Sequence, residues 1–98
     1  METNQMIDHQ RAELAKEKSG AVWLAMMDCG DYVNFSAIAR DFYGRSANWL
    51  LQRLHGYNVN GKPAHFKPEE TAKFSEVLRD IASRLQNAAD RIDSAQQD

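Results

Sequence analysis

From Phe74 onward the apolar residues recur at alternating steps of four and three: Phe74, Leu78, Ile81, Leu85, Ala88, Ile92 and Ala95. That spacing is the a/d seam of a heptad repeat, held for about three repeats. A stripe so regular needs another helix laid along it. Pro68 stands where a first helical turn has no N–H to lose, and Glu69 and Glu70 follow where acids complement the positive end of the helix dipole. A long C-terminal helix is therefore expected over residues 68–95. Glu69 with Lys73 and Asp80 with Arg84 form i, i+4 pairs suited to its outer face.

The rest of the chain has to supply what covers that seam. Ninety-eight residues bury one core and cannot divide it. Five Gly and two Pro are too few for the turns of a sandwich or barrel. The expected fold is all-α, a single domain over 1–98 built as a compact bundle of four to five helices. It divides into an N-terminal helical segment (1–33), a central helix-turn-helix (34–56), a loop or short wing (57–67) and the long helix. In the first segment Met6, Ile7, Leu14, Val22, Leu24 and Met27 give an irregular apolar face, and Ser19-Gly20 marks a weak point.

Several function classes drop out on composition. The longest apolar run, Ala21 to Met27, is seven residues, against the roughly 20 that span a bilayer. The first twenty residues mix acids and bases without the apolar stretch of a secretory leader. A cytoplasmic protein with no membrane partner is expected. Cys29 is the single cysteine, so no intrachain disulfide forms, and His9, His55 and His65 stand at no metal-ligand spacing. With no Gly-rich phosphate loop and no hydrolase motif, neither metal, cofactor nor enzymatic activity is expected.

The net charge of −2 hides a pattern. Residues 1–33 carry −3, residues 34–67 carry +4 and residues 68–98 carry −3. Local field rather than total charge governs which partner approaches, and the basic centre coincides with the helix-turn-helix candidate. There, Asn34 or Ser36 can cap a short helix with Phe35, Ile38, Ala39 and Phe42 at i, i+3, i+4, i+7. Gly44 breaks it. Ser46 caps a second helix with Ala47, Leu50, Leu51 and Leu54 in the same pattern, and Gly56 ends it. If those leucines face inward, Arg45, Asn48, Gln52 and Arg53 share the outward side with Trp49 at its border. Arg pairs with guanine and Asn or Gln with adenine, so these side chains suit DNA contact, with Lys62 gripping backbone from the wing.

An opposing reading uses the same residues. Polar side chains on an exposed helix face are ordinary, and many helix-turn-helix shapes only pack. The chain is then a protein-interaction or structural module with no nucleic-acid binding, anchored on Trp49, Tyr57 and Phe66. Trp23 and Trp49 are both expected in packing, as Trp at helical spacing usually is. The heptad seam adds self-association, a homo-oligomer formed through the C-terminal helix.

The run Phe35-Ser36-Ala37-Ile38-Ala39-Arg40-Asp41-Phe42-Tyr43-Gly44-Arg45-Ser46, with Trp49-Leu50, Gln52-Arg53-Leu54 and Asn60-Gly61-Lys62-Pro63-Ala64, resembles a family of short bacterial proteins classed as a domain of unknown function. The resemblance covers roughly residues 35–85. It implies an all-helical domain with a helix-turn-helix-like centre, and it carries no defined activity, substrate or cofactor.

Overall fold

Local capping chemistry decides where the chain turns. In the computed structural model, which describes residues 19–56, 58, 59 and 61–97, helix α1 runs through 19–29 and ends in a single 3-10 turn, Gly30–Tyr32. Helix α2 (Phe35–Ile38) starts where the Asn34 Oδ1 accepts the Ala37 N–H at 3.0 Å. Helix α3 (Ala47–His55) starts where the Ser46 Oγ accepts the Trp49 N–H at 3.1 Å. Gly44 and Gly56, at φ 62° and 67°, take the left-handed conformation that closes each of these segments without a side-chain clash. Two short antiparallel strands, β1 (Asn58–Val59) and β2 (Lys62–Pro63), then form a hairpin, paired Asn58 to Pro63 and Val59 to Lys62. Helix α4 (Pro68–Ala95) follows for 28 residues. Its first turn is closed by the Lys67 N–H donating to Glu70 Oε1 at 2.8 Å.

The fold is all-α apart from this minimal hairpin, with the long C-terminal helix where the heptad seam places it. Among the described residues no helix is long and apolar enough to cross a membrane. The expected helical segment upstream of Ser19, Tyr57 and the Asn60 turn position lie outside the described residues.

The core joins Val22 and Met26 of α1, Ile38 and Ala39, Leu50 and Leu54 of α3, Phe66 from the connecting loop, and Phe74 and Val77 of α4. The inward leucines of α3 are those the periodicity assigns. Ser19 is buried and ties three segments, accepting the Phe66 N–H and donating to the Arg53 carbonyl, each at 3.3 Å. A buried hydroxyl with both partners present stabilises rather than disrupts.

Four expectations are corrected. The face of α1 that packs is Val22 and Met26, one helical turn apart, while Leu24 and Met27 point outward. Trp23 is likewise no core residue: it lies at the surface with its ring 4.4 Å from that of His55. Position 23 is rotated about 100° from Val22, which has already taken the inward position. Phe66, considered as a surface anchor, is fully buried. The helix that begins at α2 also does not stay α. Ala39–Tyr43 widens into a π turn, the Gly44 N–H reaching back to the Ala39 carbonyl. In the widened turn both Phe42 and Tyr43, adjacent in sequence, face α4: Arg84 lies 6.0 Å from the Phe42 ring and the Tyr43 hydroxyl bonds to Glu70.

The seam of α4 is occupied only in its first half. Phe74 and Val77 are buried, Leu78 and Ile81 partly so, and every described residue from 82 to 97 is exposed. Replacing Phe74 with Ala should cost about 3–5 kcal/mol of unfolding free energy in a urea titration, as truncation of a buried aromatic does. Gly44→Ala should cost about 1–2 kcal/mol through its left-handed backbone alone, since nothing crowds the added methyl.

Candidate nucleic-acid interface

The outward side of α3 is assembled around Trp49, whose ring is half-buried at the edge of the core. Tyr43 lies 5.3 Å from it and Phe66 6.3 Å, the latter edge-on. Both flanking arginines meet the same ring. The Arg53 guanidinium lies 4.4 Å and that of Arg45 5.5 Å from its centroid, within the range of cation–π attraction.

Arg45, Trp49 and Arg53 are thus brought together, but Arg45 and Arg53 are placed differently. Arg45 is exposed, its head open to a ligand. Arg53 is half-buried, donates from Nη1 to the Trp49 carbonyl at 3.2 Å, and has its Nε buried with no hydrogen-bond acceptor. It is a clamp on Trp49 more than a probe of solvent. Asn48 is exposed and Gln52 half-buried on the same outward side; Lys62 is exposed on β2, outside the Trp49 stack.

The basic character of this region rests on few side chains. Arg40 is held by its neighbour Asp41, with Nε–Oδ1 at 2.7 Å and Nη2–Oδ2 at 3.2 Å. That hydrogen bonding lowers the Asp41 carboxyl and raises the Arg40 guanidinium from their ordinary pKa values. The pair cancels, so the +4 of residues 34–67 is carried by Arg45, Arg53, Lys62 and Lys67.

Sequence reasoning passed over the far wall. Tyr43, Arg45 and Trp49 face Glu69, Glu70 and Lys73 of α4 across an open cleft of about 340 Å³. The Tyr43 hydroxyl donates to the Glu70 carbonyl at 2.9 Å, and the Lys73 ammonium lies 5.2 Å from the Tyr43 ring. Burial, and secondarily the Glu70 charge, push the Tyr43 phenol above its ordinary pKa. The only sequence signal for this wall was the Glu69 and Lys73 spacing, which reads as an exposed pair. Among the described residues no group of His, Cys, Asp and Glu could hold a metal ion.

A family model matches residues 22–92, most of the chain and nearly all of its described part. The chain belongs to the family described as a domain of unknown function (DUF5053). The DUF5053 match begins within α1 and ends within the exposed half of α4, so the family extends at both ends beyond residues 35–85. No curated protein and no solved structure matches this DUF5053 chain.

Tyr43 gives a test by pH. Its folded pKa lies above its unfolded value, so the folded state keeps a proton that the unfolded chain releases as pH rises past about 10. Stability should fall above that pH in urea titrations, and Tyr43→Phe should flatten the fall. At neutral pH the same substitution should cost about 0.5–1.5 kcal/mol for the lost hydrogen bond.

Proposed function

We propose that this protein is a small DNA-binding protein of the helix-turn-helix kind, which grips duplex DNA with the outward side of α3 and the hairpin and self-associates through α4. What supports the reading is one arrangement: Asn48 and Gln52 lie on a single side of a short helix, with Arg45 exposed just before its cap, and the opposite side is locked into the core by Leu50 and Leu54. A recognition helix needs such backing, because side chains that read base edges lose discrimination if the helix can tilt. The order of a capped helix, a Gly turn, a second capped helix and then a hairpin with Lys62 exposed at its edge fits a helix in the major groove with a wing on the backbone. Trp49 and Arg53 belong to this interface as its frame. No enzymatic step is assigned to the protein.

Fluorescence anisotropy with pooled genomic fragments at about 50 mM salt tests it. With Arg45, Lys62 and Lys67 on phosphates, log Kobs should fall against log salt with a slope of about −3 per subunit. Lys62→Ala should reduce that slope by about 1 whatever the sequence. Arg45→Ala should weaken binding about tenfold, roughly 1.4 kcal/mol. Absence of any binding at low salt overturns the proposal.

A second reading has one observation in its favour. Glu69 and Glu70 border the cleft beside Arg45 and Trp49, and acids there oppose a polyanion but suit a basic or mixed protein surface. Glu69→Gln separates the two readings, since it should tighten DNA binding if phosphates approach this edge. A variant that binds DNA no better than wild type, with wild-type binding already negligible, leaves the protein-interaction module.

A further inference from the structure

The cleft between α3 and α4 holds charges of both signs that do not neutralise one another. The i, i+4 spacing of Glu69 and Lys73 favours an ion pair, yet the Lys73 ammonium lies 5.2 Å from the Tyr43 ring instead. Arg45 lies over the Trp49 ring, 5.5 Å from its centroid. Among the described residues, ion pairs join only Arg40 with Asp41 and Arg84 with Asp80. Arg45, Lys73 and Glu69 are left with none, all three exposed at one cleft. Glu70 differs, because its Oε1 is committed to the Lys67 N–H at 2.8 Å. We infer that this cleft binds a free α-amino acid with an apolar side chain. The ligand carboxylate meets Arg45, its ammonium meets Glu69, and its side chain lies against Tyr43 and Trp49.

Each part of the ligand follows from a group already in place. A guanidinium resting on a ring uses its face, and its donors, which lie in its plane, stay open to a carboxylate that takes two of them at once. Lys73 adds a second positive charge at the same cleft. A ligand of one sign is disfavoured: a simple anion would meet Glu69, and a simple cation would meet Arg45 and Lys73. A zwitterion answers both. The apolar wall is formed in advance, since the Tyr43 hydroxyl is fastened to the Glu70 carbonyl at 2.9 Å and Trp49 is held by Phe66 and Arg53, so little ordering is left to oppose binding. At about 340 Å³ the cleft lies at the small end of ligand pockets, which suits a single amino acid rather than a large cofactor. Arg45 is shared with the proposed DNA contact, but the inference stands whether or not DNA is bound.

Isothermal titration calorimetry of the full chain with L-phenylalanine, in the absence of DNA, tests this. The Kd should fall between about 10 μM and 1 mM, the range open to so small a ligand. L-leucine should bind in the same range, and glycine at least about tenfold more weakly, because it has no side chain to lay against the rings. Blocking either end separates the two charges. N-acetyl-L-phenylalanine and L-phenylalanine amide should each bind at least about tenfold more weakly than the free amino acid. Arg45→Ala should weaken L-phenylalanine about tenfold and leave the amide unchanged, whereas Glu69→Gln should weaken it as much and leave the N-acetyl form unchanged. Both residues are exposed, and a urea titration checks that each variant folds. Absence of saturable heat below about 10 mM with both L-phenylalanine and L-leucine overturns the proposal. A blocked form that binds as tightly as the free amino acid, or either variant binding L-phenylalanine like wild type, overturns it equally. None of these outcomes alters the salt slope expected for DNA, so the two readings fail separately.

Discussion

The aromatic run from Tyr43 through Trp49 and Phe66 to Phe74 is the contact on which the architecture depends. Its rings belong to the π turn, α3, the loop after the hairpin and α4, with successive centroids 5.3, 6.3 and 5.9 Å apart. Such pairs add about 0.5–1.5 kcal/mol each beyond the area they bury. Their larger effect is geometric. Rings in tilted and edge-on contact fix the rotation of each segment about its own axis, so the direction in which α3 presents Asn48 and Gln52 is set by ring contacts that run from the edge of the core into its centre.

Arg53 shows what that fixation requires. A guanidinium laid on Trp49, with one nitrogen bonded to the Trp49 carbonyl and another buried without an acceptor, holds the indole from the solvent side. Lysine would not substitute, because its ammonium has neither the flat face to stack nor the forked donors. The buried Nε carries a desolvation cost of about 1–3 kcal/mol. The stacking and the bond from Nη1 offset part of it, and the remainder is borne by a core that is otherwise well satisfied.

Much of this was legible in the sequence because it is local. Asn34, Ser46, Gly44, Gly56 and Pro68 each act within a turn of where they stand, and the inward leucines of α3 follow from 3.6-residue spacing. What was not legible has a different origin. The burial of Ser19 is explained by Phe66 and Arg53, 47 and 34 residues away, and Phe66 is buried because α3 and α4 close over it. Trp23 faces out because Val22 and Met26 had the better claim to the core, a competition between neighbours that composition does not decide. The π turn answers to α4, which lies beyond any local pattern. For the interface, the residue types on α3 were readable, whereas the stacked state of Arg53 and the acidic far wall were not, since both arise from side chains meeting across segments.

The unequal cover along α4 gives the molecule two tiers of order. Up to Ile81 the helix shares the fate of the core, and its amides open only when the whole unit does. Past that point each hydrogen bond is guarded by the helix alone, so in a solitary subunit the backbone there exchanges with solvent at rates set by fraying rather than by global opening. One continuous rod in outline is therefore two bodies in thermodynamic terms, joined at a residue with one neighbour on each tier.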